Sequence, residues 1–194
     1  MSEWKTTLVK DIAKYFWLVY SKEYVREFIE NNLKAVGDFT CKDFVNILNW
    51  QYLLNRSQID SYSNTWIFIS DTDDLVTLMY AKSSTIIEEF DSNSNNVFPL
   101  TKLEYETVLK PLTCALQKWI KWDKIFFLTP NSNVVDDGKR YMLMAWMERR
   151  QINEKLLCEL LEEFNLMDKV EFLKWWSYYE NFCKVKDYVN WLYC

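Results

Sequence analysis

An α/β fold built on a parallel sheet is what this sequence predicts, and three observations point to it. Two short runs of aromatic and β-branched residues, Trp66–Ile69 and Ile125–Leu128, read as buried strands that end in polar clusters. Between and around them, apolar residues recur at helical spacing. Only Gly37 and Gly138, with Pro99, Pro111 and Pro130, interrupt 194 residues, so the helices should be long. Strands alternating with helices imply a parallel sheet with helices on its faces. The length fits a single domain, 1–194, with no internal repeat.

Taken in order, the segment Thr6–Phe16 places Val9, Ile12, Ala13 and Phe16 on one helical face. Val19 and Tyr20 follow as a short strand, and residues 23–34 as a second helix ending near Gly37. Thr40 suits an N-cap, with Asp43 three residues on as a relative of the capping box. The helix it opens carries Phe44, Ile47, Leu48, Tyr52 and Leu54. At Trp66–Ile69 the period changes, and the run ends in Ser70-Asp71-Thr72-Asp73. Asp91–Asn96 reads as a surface loop. Leu109, Leu112, Leu116, Trp119 and Ile120 mark a helix that Pro111 starts or kinks. Beyond Ile125–Leu128, Thr129–Asn133 forms a loop at the strand's carboxyl end. Ile152, Leu156, Leu160 and Phe164 mark an amphipathic helix, Val170–Leu173 a short strand and residues 177–192 a last helix.

Composition removes several classes of function. The chain has no His, which excludes a His general base, a Ser-His-Asp triad and a His-ligated metal. Five widely spaced Cys contain no Cys-x-x-Cys pair, so neither a zinc site nor a disulfide framework is indicated, and a reducing cytoplasm fits. Net charge is −5 with no long basic run, which argues against nucleic-acid binding. No N-terminal signal is visible, and no apolar run approaches the ~20 residues that span a bilayer. The aromatic share of 18%, with ten Trp, reads first as core filling.

In open parallel sheets, ligands gather beyond the carboxyl ends of the strands. Three polar clusters fall there: Glu23–Glu27, Asp71–Asp74 and Val135–Arg140. Each can also be read as a solvated loop end. Lys5-Thr6-Thr7 stands directly before the first amphipathic helix. In a phosphate-binding loop, a Lys reaches the β- and γ-phosphates, the next Ser or Thr binds Mg²⁺, and loop N–H groups cradle the anion.

Together these segments resemble the ribosylnicotinamide kinase family, a P-loop, AAA-type ATPase/kinase domain. Ser2–Leu8 followed by Glu23-Tyr24-Val25-Arg26-Glu27 is similar to that family's Lys-Ser/Thr loop, helix, strand and E-Y-x-R-E. Ile69–Asp73 with Thr77 is similar to its strand-end D-T-D with a nearby Thr. Phe127-Leu128 followed by Val135–Arg140 is similar to its W-V-D-D-G-x-R element. Val170–Leu192 resembles its closing strand and helix, so the likeness covers nearly the whole chain.

The resemblance implies a three-layer P-loop NTPase-like fold and transfer of the ATP γ-phosphoryl to the ribose 5′-hydroxyl of a nucleoside-like substrate. Such transfer asks a protein for positioning and charge stabilisation. Lys5 would neutralise phosphate, Thr6 would hold Mg²⁺, and Thr7 would complete the cofactor-binding run. Asp71 would orient Mg²⁺ or take the hydroxyl proton. Tyr24, Asp73, Asp136 and Asp137 would face the substrate, Asp73 through two ribose hydroxyls. Arg140, with Arg149 or Arg150, would clamp phosphate from a lid. Arg26 would face the substrate or pair with Glu23 or Glu30. ATP and Mg²⁺ are the implied cofactors. The implied partner is a nucleoside-like small molecule, with no nucleic acid and no membrane; a homo-oligomer stays open.

Two positions depart from the family's pattern. Trp4 stands where the loop has Gly, and the resemblance places the loop's first Gly and the usual central strand upstream of Met1. An indole cannot let backbone approach phosphate as glycine does. The expectation is weak ATP binding and a sheet without its first, central strand. Val134 replaces the aromatic residue before V-D-D-G-x-R, so nicotinamide riboside is one candidate among nucleosides. The alternatives to a kinase are a catalytically degenerate relative acting as a binding or protein-interaction module, and a protein-binding inhibitor on the same scaffold.

Overall fold

The computed structural model describes residues 3–34, 38–61, 67–90, 100–128, 146–174 and 177–194, without the side chains of residues 3, 4, 87–90 and 146–150. Helix α1 (Glu3–Phe16) leads to strand β1 (Tyr20–Ser21), then α2 (Tyr24–Asn32) and α3 (Cys41–Ser61). Strand β2 (Ile69–Ser70) is followed by α4 (Asp74–Phe90), α5 (Lys102–Glu104), a π-helical turn (Tyr105–Leu109) and α6 (Lys110–Gln117). Strand β3 (Ile125–Leu128), α7 (Trp146–Glu163), β4 (Val170–Leu173) and α8 (Tyr178–Tyr193) complete the chain.

The α/β expectation holds, and the four strands among the described residues pair in parallel. β1 lies beside β2 with Tyr20 opposite Ile69, and β3 lies beside β4 from Ile125–Val170 to Leu128–Leu173. The two pairs do not join: among the described residues, β2 and β3 each have one bonded neighbour. Among the described residues the sheet is thus split into two pairs, as expected of a sheet without its first, central strand.

Alternation along β3 shows the three layers. Ile125 and Phe127 pack into a cluster with Leu78, Leu156 and Leu160 from α4 and α7. Phe126 and Leu128 pack on the other face with Leu8 and Ile12 of α1 and Val185 and Val189 of α8. Each fully buried Leu contributes roughly 1.5–3 kcal/mol. Leu48, Leu78, Leu100, Leu109 and Leu160 are all completely buried, so the helical layers, more than the short ladders, hold the fold.

Several boundaries differ from the sequence reading, each for a local reason. α1 begins at Glu3 rather than Thr6, so Lys5 and Thr6 lie inside its first turn instead of before it. β1 and β2 sit one to three residues later than expected, because the ladder continues through Asp71 N–H donating to Ser21 C=O at 2.9 Å. α2 stops at Leu33, which takes a left-handed φ of 51°, before Gly37 is reached. Helix runs from Lys102, and Pro111 sits in the first turn of α6 directly after the π turn. Lacking an N–H, proline fits beside that widened turn. The Thr40 cap is present: its hydroxyl accepts from Asp43 N–H at 3.3 Å and its N–H donates to the Asp43 carboxylate at 2.8 Å. Burial pushes the Asp43 carboxyl up, but Lys34 and the Thr40 donors outweigh it and hold it below its ordinary value. The loops expected at Asp91–Asn96 and Thr129–Asn133 lie outside the described residues, as does Trp66.

Candidate functional site

The carboxyl ends of β1 and β2 meet the first turn of α1, and four charged side chains converge there. Asp71, the first residue after β2, is only 6% exposed. Its Oδ1 lies 2.9 Å from Lys5 Nζ, and Lys5 also donates to the Asp71 backbone carbonyl at 2.6 Å. Thr6 Oγ1 donates to Asp71 Oδ2 at 2.7 Å. Glu23, buried at the head of α2, stands 3.9 Å from Lys5 and accepts from Arg26 Nε at 3.1 Å. The pairing with Glu23 that the sequence allowed for Arg26 is present.

Behind this cluster runs a buried polar seam that sequence reading missed. Gln51 of α3 accepts from Tyr24 N–H at 2.8 Å, filling the cap that Glu23's side chain does not supply. Gln51 Nε2 donates to Lys22 C=O, Asn55 Oδ1 and Ser21 Oγ at 3.1, 3.2 and 3.4 Å. Ser70 donates to Asn55 Oδ1 at 3.1 Å and so ties β2 to the same seam. The signal was available: Gln51 and Asn55 continue the apolar stripe of Phe44, Ile47 and Leu48 at helical spacing. Polar residues on a buried stripe need partners, and here they find them at the strand ends.

Asp73 lines the cavity described below and is also held by partners within the protein. It accepts from Leu75 N–H at 2.8 Å, which caps α4. Gln117 Nε2 donates to both its oxygens at 2.8 and 2.9 Å, and Trp122 Nε1 donates as well. Burial pushes the Asp73 carboxyl up against these bonds. Its hydrogen-bonding capacity is thus largely spent within the protein. Asp74 beside it is fully buried with Oδ1 unpartnered, and burial followed by the Asp73 charge pushes its carboxyl well above its ordinary value.

Tyr24 stacks on Trp50, with ring centres 5.9 Å apart, outside the cavity described next. Burial and then the Glu27 charge push its hydroxyl up. Thr7 is exposed on α1. Asp136, Asp137 and Arg140 lie outside the described residues, and Arg149 falls early in α7 without a described side chain.

A cavity of about 780 Å³ opens beside the cluster, in the range of small-molecule sites. One end is polar, with Lys5, Glu23, Arg26 and Asp71; the rest is mostly apolar and runs between β2 and β3. Among the described residues, no three Asp, Glu or Cys side chains group closely enough to hold a metal. Thr6 and Asp71 offer adjacent oxygens at the cavity, a hard donor pair of the type Mg²⁺ takes when phosphates and water supply the remaining ligands. No helix among the described residues is long and apolar enough to cross a membrane.

Comparison with known proteins gives a family and structural relatives. Residues 2–171 match the family model described as AAA domain. A crystal structure of NadR protein in complex with NR is 29% identical, with a TM-score of 0.69, over 89% of this chain and 41% of that one. A crystal structure of NadR protein in complex with NAD and AMP-PNP is 27% identical, with a TM-score of 0.73, over 96% and 46%. The chain therefore spans less than half the length of these structural relatives. No match is found among curated proteins.

Proposed function

Because the chain belongs to the AAA-domain family and is NadR-like in its P-loop kinase fold, we propose that it binds MgATP at the head of α1 and phosphorylates the ribose 5′-hydroxyl of a nucleoside. The Lys5–Thr6–Asp71 constellation carries this reading: a cation, a hydroxyl and a carboxylate at a helix N-terminus beyond a strand end. Nicotinamide riboside is the first substrate to test, since one relative is described with NR and another with AMP-PNP.

Lys5 now neutralises Asp71 and faces Glu23. A triphosphate arriving at the α1 N-terminus offers it denser negative charge, and the N–H groups of a helix's first turn favour the same anion. Once Lys5 turns to phosphate, the Asp71 carboxylate is released to take the proton of the attacking hydroxyl or to hold Mg²⁺ with Thr6. Bound there, Mg²⁺ would supply charge neutralisation on the phosphates. Glu23 and Arg26 border the polar end of the cavity, where a ribose would lie. Asp73 fixes the start of α4 and so positions the Asp71–Asp73 loop instead of grasping ribose directly.

A second reading, a binding module without catalysis, is favoured by one observation: Lys5 is already balanced by two carboxylates. Turnover separates the two. With millimolar MgATP and nicotinamide riboside, the kinase reading expects the nucleoside monophosphate, with the rate reduced about 10²-fold or more in Asp71→Asn. No product from the unmodified chain, whether with this or with other nucleosides, would favour the module.

A further inference from the structure

We propose that the end of the molecule opposite the Lys5–Asp71 cluster is a membrane-docking face, which seats on an anionic lipid surface without crossing it. Where parallel strands alternate with helices, the helix carboxyl ends and strand amino ends gather on one side, and the cluster lies on the other. Three segments meet on that side: the end of α1, the link from α6 to β3, and the end of α8. They adjoin one another. Phe16 stacks on Tyr193 with ring centres 5.9 Å apart, and Trp119, Lys121 and Leu192 line the same cavity.

The exposed side chains here are aromatic. Trp17 is 92% exposed, and Trp119, Trp191 and Tyr193 are exposed as well. Trp17 also holds a left-handed φ of 57°, at the turn where Leu18 N–H closes back on Ala13 C=O at 2.8 Å. That position after a helix favours glycine. An indole held there, strained and in water, adds almost no burial to the fold. Trp and Tyr are the side chains that settle at the polar boundary of a bilayer, where an apolar ring with one polar tip is matched on both sides.

Charge selects the occupant. Residues 10–18, 118–124 and 186–194 contain six Lys and three Asp. Lys124 is offset by Glu171 at 3.1 Å, which leaves five Lys against three Asp, or +2, on a chain that carries −5. The helix dipole accounts for a lysine in a last turn, such as Lys14, but not for the indoles beside it. A second copy docked face to face by a two-fold axis would set these lysines against their own images. An anionic lipid layer instead meets them with phosphates, while their methylene stems lie along the rings. At the opposite end Glu23, Asp71, Asp73 and Asp74 outnumber Lys5 and Arg26, so an anionic surface turns the candidate site toward water. The proposal is independent of the kinase reading.

Flotation with vesicles of phosphatidylcholine, alone or with about one-third phosphatidylglycerol, tests it. The chain should partition onto the anionic vesicles at least about tenfold more strongly than onto the neutral ones, and lose that preference as salt shortens the Debye length. The double variant Trp17→Ser, Trp191→Ser should weaken partition onto anionic vesicles about tenfold or more. Independently, Lys14→Gln with Lys121→Gln should weaken it there and leave neutral vesicles unaffected. All four side chains are exposed, and circular dichroism checks that each variant keeps its fold. Absence of binding to anionic vesicles, equal binding to neutral ones, or partition unchanged in either double variant would each overturn the proposal. So would a dimer, seen by sedimentation, that dissociates in Trp17→Ser, because a second copy would then cover the face. Failure of phosphoryl transfer leaves it untouched.

Discussion

Replacing Gln51 by Met tests whether the buried seam organises the strand ends. Met fills nearly the same volume but accepts and donates almost nothing. Gln51 is 1% exposed, and three of its bonds are 3.2 Å or shorter: from Tyr24 N–H, to Lys22 C=O and to Asn55 Oδ1. A net ~1 kcal/mol for each suggests a loss of roughly 3 kcal/mol, and more if the orphaned groups stay dry. For a domain of this size that lowers Tm by about 6–12 °C. Calorimetry and urea unfolding measure it, with a falling midpoint and an unchanged slope. Asn55→Leu should cost less in the Gln51→Met background than alone, because the two share a bond. A drop below about 2 °C, or strict additivity, would refute the seam as a cooperative unit.

Asp74→Asn should raise stability at neutral pH. The folded carboxyl lies above its unfolded value, so the folded chain holds that proton more tightly, and the penalty is absent below pH ~3.9 and grows as pH rises through the raised folded value. Unfolding midpoints at pH 4 and pH 7 check this: the variant should gain at pH 7 and match the parent at pH 4. Leu33→Gly should stabilise by about 1 kcal/mol, since Leu33 is 93% exposed yet holds a left-handed φ that costs an L-residue roughly 1–2 kcal/mol. Thermal unfolding reads the gain.

Much of the architecture was legible because it follows from pattern. Ile125–Leu128 and Val170–Leu173 were read as strands on sequence alone, from short runs carrying β-branched and aromatic residues between helical segments. Thr40 announced its helix by side-chain chemistry that needs no tertiary context. The shifts at β1 and β2 came from a tertiary cause, the backbone bond from Asp71 to Ser21, which no local signal carries. At the site, Lys5, Thr6 and Asp71 could be named because motif order joined them, although 65 residues separate Thr6 from Asp71. The partners that hold Asp73, Gln117 and Trp122, were not legible, because they lie far along the chain and belong to no motif. A carboxylate's availability depends on who reaches it first, and that is set by packing.

The most direct test of the central claim is titration of MgATP into the chain and into Lys5→Ala, followed by calorimetry. Lys5 packs against Asp71 and Glu23 at the surface end of the cavity, so its removal frees two carboxylates where the phosphates should land. The account predicts weak but measurable binding by the parent and an affinity at least about tenfold lower in Lys5→Ala, the cost of about 1.4 kcal/mol or more. An affinity unchanged by Lys5→Ala would contradict it, because ATP would then be bound somewhere other than the head of α1.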